Sequence, residues 1–322
     1  MIRGAGWWVL VLGLGVVGAA GPAHAYVRYE TGTGNPFSWR TPSVKLVGYP
    51  YGLPSMPTED IVATMQTSVT AWSKEDPENA VCSYLALSLS VKPDTVVPPA
   101  AAHDDENSIA IRNGNWEAIC STTKDGKTVC HQPGELALTT VWSRTCGEIV
   151  EADVEVNASK DFAWADLSIT DDPGLQDLQN ALTHELGHFI GLDHTCLLAP
   201  LVDPTTGQPI EPVDNTGAKV PLCTPDLPLT IRGATMFPSA QPGDVSKRSL
   251  SADDRMGLCQ IYPKGTTPEQ CGVGSSGGAC AIAPDDAPTG RGRSRLPWAI
   301  ATIGVTGVLF ALRRRSAPDR RR

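Results

Sequence analysis

HELGHFIGLDH, residues 184–194, contains three of the chain's six histidines. On a helix, His184 and His188 stand one turn apart and face the same way. Their ring nitrogens can then both reach one metal ion at about 2.0–2.1 Å. Glu185 sits beside them, adjacent to the metal rather than bound to it. Gly191, three residues after His188, permits the positive φ that ends a helix and turns the chain sharply. That turn returns His194 as a third nitrogen. Three neutral nitrogens leave the fourth position of a tetrahedral zinc ion to water, the pattern of a catalytic site. Zinc lowers the pKa of water from about 15.7 toward 7. Glu185 can take the proton and later deliver it to a leaving amine. HExxH alone is only suggestive, whereas the full HExxHxxGxxH spacing is far more constrained.

The flanking sequence suits a globular α+β domain. Immediately upstream, TDDPGLQDLQNALT opens with Asp172-Pro173, a helix start. EIVEADVEVNAS (148–159) alternates as a strand does, as do SVKLVGY (43–49) and CSYLALSLSVK (82–92). PTEDIVATMQTSVTAWSKED carries Ile61, Met65, Val69 and Trp72 at helical spacing, with Thr58 able to cap the start. AICSTTKDGKTVCHQ contains Asp125-Gly126, a strong hairpin signal, with Cys120 and Cys130 on its two arms. Residues 195–235 are proline-rich and loop-like. SLSADDRMGLCQIYP (249–263) reads as a last helix, capped by Ser251 with Asp254 three residues on. No internal repeat is present.

HExxHxxGxxH followed by a Met-containing turn is the metzincin signature. The turn here is GATMFPSA, with Met236. Thr195 directly after the third histidine, Met-Phe-Pro at 236–238, the closing ADDRMGLCQIYP and Ala71-Trp72 are similar to the matrixin branch. The resemblance covers most of residues 26–263. It implies a twisted mixed β-sheet with an active-site helix, an adjoining helix and a C-terminal helix, and a cleft beside the zinc. It also implies a peptide or protein substrate lying extended along an edge strand; EIVEADVEVNAS is the candidate strand. Met236 would form a hydrophobic floor under the ligands. Three departures stand out. No pro-segment with a zinc-blocking cysteine precedes the domain. The segment from His194 to Met236 is long and cysteine-bearing. No acidic loop matches the family's calcium or second-zinc sites closely enough to name ligands; Asp153 is a weak candidate that surface solvation explains better.

The ends of the chain carry other signals. MIRGAGWWVLVLGLGVVGAAGPAHA has one Arg, an apolar run and Ala-His-Ala, so residues 1–25 are expected to be a signal peptide. Residues 26–263 form the catalytic domain and 264–295 a Gly/Ser/Pro-rich linker. LPWAIATIGVTGVLFAL (296–312) is uncharged and is expected to be a membrane helix of about 25 Å, followed by a basic cytoplasmic tail, 313–322. GSSGGAC and the arginines after Leu312 resemble the tripartite sorting tails of the myxobacterial type. An exported, surface-anchored protein follows.

Between Tyr26 and Pro263 there are 15 Lys+Arg against 31 Asp+Glu. So acidic a body argues against nucleic-acid binding, which needs cations on phosphates. The nine cysteines fit an oxidising compartment. Pairing of neighbours predicts Cys120–Cys130, Cys196–Cys223, Cys82–Cys146 and Cys259–Cys271, leaving Cys280 over. The expected function is a zinc endopeptidase. The alternative is a non-catalytic surface adhesion or structural module stapled by metal, and the presence of Glu185 favours the enzyme. Oligomeric state and cleavage preference are not legible.

Overall fold

A computed structural model describes residues 26–122, 128–203, 206–266, 269, 271 and 298–304. The expected signal peptide, Asp125-Gly126, Cys280, most of the linker and residues 305–322 lie outside these.

The fold is mixed α/β. One sheet contains β1 (Ser43–Tyr49), β2 (Ala86–Val91), β3 (Ser108–Arg112), β4 (Glu135–Ser143), β5 (Glu148–Asn157) and β6 (Trp298–Gly304). Their order is β6-β4-β5-β3-β1-β2, and the short strand Ser38–Trp39 also pairs with β5. β1 is parallel to β2 and β3, and β3 to β5, whereas β4 runs antiparallel to β5. Parallel neighbours need a crossover, and α1 (Thr58–Ala71) lies on the one between β1 and β2. Along β1, Val44 and Leu46 are buried while Ser43 and Lys45 are exposed, as a period of two requires.

The helices follow their apolar stripes but not always their expected starts. Ile61, Met65, Val69 and Trp72 are all buried. Pro57, not Thr58, is the N-cap residue of α1, and no side chain caps it. Thr58 instead donates its hydroxyl to Asp94 at 3.1 Å. The motif helix α2 spans Leu178–Phe189 and starts later than Asp172-Pro173. Asp172 makes a local turn, accepting from the Gly174 N–H at 2.9 Å, and Asp177 caps the helix through the Asn180 N–H at 2.7 Å. Arg248 grips the same carboxylate with Nε and Nη2, both at 2.9 Å. α3 (Ala252–Ile261) is capped by Ser251, as expected.

β5 corrects two expectations. It is paired on both sides, so it has no free edge to receive a substrate. Its acidic face is not solvated either: Glu151, Asp153 and Glu155 are 1%, 3% and 0% exposed. Segment 98–108 supplies partners for that face. Asp153 accepts from the Ala102 N–H at 3.2 Å and from the Ser108 N–H and hydroxyl at 2.9 and 2.7 Å. Burial pushes its carboxyl up to about 7. Glu155 lies 2.6 Å from Arg112 Nε and 3.0 Å from His131 Nε2. Burial raises its pKa, but His131 and Arg112 outweigh burial and hold it below the ordinary value.

Cys120–Cys130 and Cys196–Cys223 form as expected. The other two pairs are exchanged: Cys82 joins Cys259, and Cys146 joins Cys271. The end of α3 returns to the chain before β2, where the Tyr84 N–H donates to Tyr262 O at 2.9 Å and the Lys264 N–H to Cys82 O at 2.7 Å. Cys259 is thereby brought to Cys82, and the chain beyond it reaches the β4–β5 turn.

The expected membrane helix is also corrected. Residues 298–304 form β6, paired antiparallel with β4 from Trp298–Trp142 to Gly304–Glu135. Among the described residues no helix is long and apolar enough to cross a membrane. A continuous apolar run has no period to separate helix from strand.

Candidate metal centre

His184 and His188 project from α2 and are fully buried. Beyond the helix Gly191 has φ +97°, and a Cβ there would stand 2.6 Å from Phe37 O. Glycine is therefore required twice over, for the turn and for the close approach. Leu192–Asp193 then pairs with Val27–Arg28, which sets His194 against the other two. The three Nε2 atoms lie 3.1, 3.1 and 3.2 Å apart.

The far side of each helical imidazole fixes its proton. His184 Nδ1 lies 2.6 Å from Thr235 O, and His188 Nδ1 lies 2.8 Å from Leu192 O. A carbonyl only accepts, so both Nδ1 atoms donate and both Nε2 atoms present bare lone pairs. Lone pairs converging at this distance repel unless a cation lies among them. Burial pushes all three imidazoles down, His188 to about 3, which keeps them in the neutral form that metals bind. A tetrahedral ion about 2.0–2.1 Å from each nitrogen places them about 3.3 Å apart, close to the spacing found. His184, His188 and His194 could hold a metal ion.

The surroundings hold this geometry from below and behind. A Cβ on Gly187, between the two helical ligands, would meet Met236 Sδ at 2.1 Å and Trp72 Cζ2 at 2.9 Å. Met236 is 1% exposed and lies against α2 at Gly187. Asp254 fixes that turn by accepting from the Thr235 and Met236 N–H groups at 2.6 and 3.3 Å and from the Ser251 hydroxyl. Lys247, 2% exposed, donates to Phe237 O and, at 2.9 Å, to Ser239 O. Burial lowers its ammonium to about 8. At the end of α2, Trp39 Nε1 donates to Phe189 O at 2.9 Å and the Tyr262 hydroxyl to Ile190 O at 2.7 Å. Carbonyls that the helix leaves over are thereby satisfied.

Glu185 is fully buried beside the triad. Thr139 of β4 donates its hydroxyl to Glu185 Oε2 at 2.6 Å and lies 3.0 Å from the Glu185 carbonyl oxygen. Tyr29, whose ring packs 5.5 Å from that of His188, is held well above its ordinary pKa by burial, then by Asp193 and Glu185.

Sequence reasoning placed the triad, Glu185, Gly191 and Met236. It missed Thr139, Gly187, Lys247 and Tyr29, and read Asp254 only as part of a cap. Gly187 carried a signal, since a glycine inside a helix asks for a packing reason. A second group, His103, Asp105 and Glu151, also brings donor atoms within 4.8 Å of one another. The Glu151 carboxylate there already anchors the loop, accepting from the Asp104 and Asp105 N–H groups at 2.9 and 2.6 Å. No protein-family model matches the chain, and no curated protein matches its sequence.

Proposed function

We propose that the chain is an exported zinc-dependent endopeptidase, similar to the matrixin branch of the metzincins. The observation that carries this reading is a buried carboxylate, Glu185, oriented by Thr139 beside three converging imidazole nitrogens. A purely structural metal site has no use for such a base. The four disulfides suit an oxidising compartment outside the cytoplasm.

His184, His188 and His194 would hold the zinc, which when bound supplies Lewis acidity toward a peptide carbonyl and acidifies water. The substrate would lie extended along the outer edge of β4, the strand that carries Thr139, in the place that β6 takes. Glu185 takes one proton from the attacking water as its oxygen bonds to the carbonyl carbon. The same proton passes to the amide nitrogen as the C–N bond breaks, and the second proton of the water follows it from the new carboxyl group, giving a carboxylate and an ammonium. Thr139 donates to one oxygen of Glu185 and thereby orients the carboxylate. The Nδ1 contacts to Thr235 and Leu192 keep Nε2 of both helical histidines turned inward.

Digestion of a peptide library by the zinc-loaded protein, beside a Glu185→Ala variant, tests the reading. Cleavage by the wild type alone is expected. Equal digests from both proteins contradict it.

A further inference from the structure

We propose that the outer edge of β4 is a peptide-accepting edge whose occupant in this chain is its own segment 298–304, so that the C-terminal segment competes with substrate. The inhibitory consequence rests on the endopeptidase reading; the docking does not.

β4 is bonded on its inner side to β5. Its other side faces outward, and an unpaired strand edge is a template for any extended chain. β6 takes that place, antiparallel, over the full length from Trp142 to Glu135. The pairing is centred on the reaction site. Thr139, which holds Glu185 at 2.6 Å, stands opposite Ala301, near the middle of β6. A substrate that uses the same edge beside Glu185 must displace β6.

Two further observations fit this occupant. WAIATIG is uncharged and includes Ile300, Thr302 and Ile303, β-branched residues that favour strands. The Cys146–Cys271 disulfide fastens the chain to the β4–β5 turn, next to the end of β4 where β6 begins. Only 26 residues then separate Cys271 from Trp298. Tethering at that separation in sequence holds a chain end at an effective concentration on the order of 1 mM. A segment that binds in trans with a Kd of about 100 µM would therefore be docked about ten times as often as free.

The test uses the full chain with a site-specific protease sequence placed between residues 285 and 290. After folding and zinc loading, the linker is cut and the tail fragment removed. A second full-length variant, Ala301→Pro with Thr302→Pro, removes backbone donors from β6 without touching the rest of the sheet. The probe in trans is a fluorescent synthetic peptide of residues 296–305. Expected are a rise of about tenfold in kcat/KM on cutting or in the proline variant, anisotropy showing the peptide bound to the cut protein, and competitive inhibition by that peptide. Equal kcat/KM in all three proteins overturns the competition. Failure of the peptide to bind the cut protein overturns the docking, whatever the turnover. Peptide binding to the cut but not the intact chain, with no turnover by any form, leaves the docking standing and removes the endopeptidase reading alone.

Discussion

The Thr139 hydroxyl on β4 donates to Oε2 of Glu185 on α2 at 2.6 Å, joining the sheet to the motif helix at the candidate base. Replacing Thr139 by Val keeps the shape and removes the bond. A charge-assisted hydrogen bond contributes about 1.5–3 kcal/mol. Turnover of a quenched peptide by Thr139→Val should fall by roughly tenfold at unchanged zinc content. Unaltered turnover would show that Glu185 needs no support from the sheet.

Gly187 has no room for a side chain. A methyl group there would overlap Met236 and press on Trp72. Overpacking of this kind costs about 1–3 kcal/mol. Thermal melts of Gly187→Ala should show a Tm several degrees lower; an unchanged Tm would mean that Met236 does not bear on α2 as described.

Acid should loosen the apo protein. Burial depresses all three imidazole pKa values, His188 to about 3, below the value of about 6.5 in an unfolded chain. Stability from a base kept neutral is full above the unfolded pKa and is lost as pH falls toward the folded one. The urea midpoint should therefore drop from about pH 6.5 downward, and far less steeply when all three histidines are replaced by Gln. Parallel pH profiles for the two proteins would contradict this.

Disulfide mapping separates tertiary pairing from pairing by nearness in sequence. Non-reducing peptide maps should give Cys82–Cys259 and Cys146–Cys271. Removing Cys82–Cys259 by a double Ser substitution should cost about 2–5 kcal/mol in urea unfolding, because it closes the end of the domain onto the segment before β2. A peptide joining Cys82 to Cys146 would contradict the fold at that end.

Glu155 is a buried charge held between two partners. Glu155→Gln leaves Arg112, a side chain 10% exposed, without its counter-charge. Breaking such a pair costs about 3–5 kcal/mol. A loss below about 1 kcal/mol in denaturant titrations would show that the pair adds little to the fold.

The parts of this molecule governed by local pattern were legible in the sequence. The HExxHxxGxxH spacing fixed which nitrogens meet, since helix geometry and one glycine turn are enough to bring them together. SVKLVGY alternates and forms β1 over the same residues. The parts governed by distant segments were not legible. Asp153 of β5 looks solvent-facing in sequence but is covered by segment 98–108. Cysteine pairing depended on where α3 returns, and the position of β5 inside the sheet depended on topology. Residues 296–312 carry no period, so their strand at 298–304 could not be told from a helix. Lys247 and Thr139 stood in no motif, and only packing reveals their partners.

The endopeptidase reading turns on Glu185 acting beside a metal it does not bind. Zinc content by elemental analysis and turnover of a quenched peptide, measured together on Glu185→Ala, separate the two roles. The expected result is zinc retained at wild-type stoichiometry, with turnover reduced by about 10²–10⁴ because the attacking water loses its proton acceptor. Wild-type turnover in that variant, or loss of its zinc, would contradict the assignment of Glu185 as a base that stands outside the ligand set.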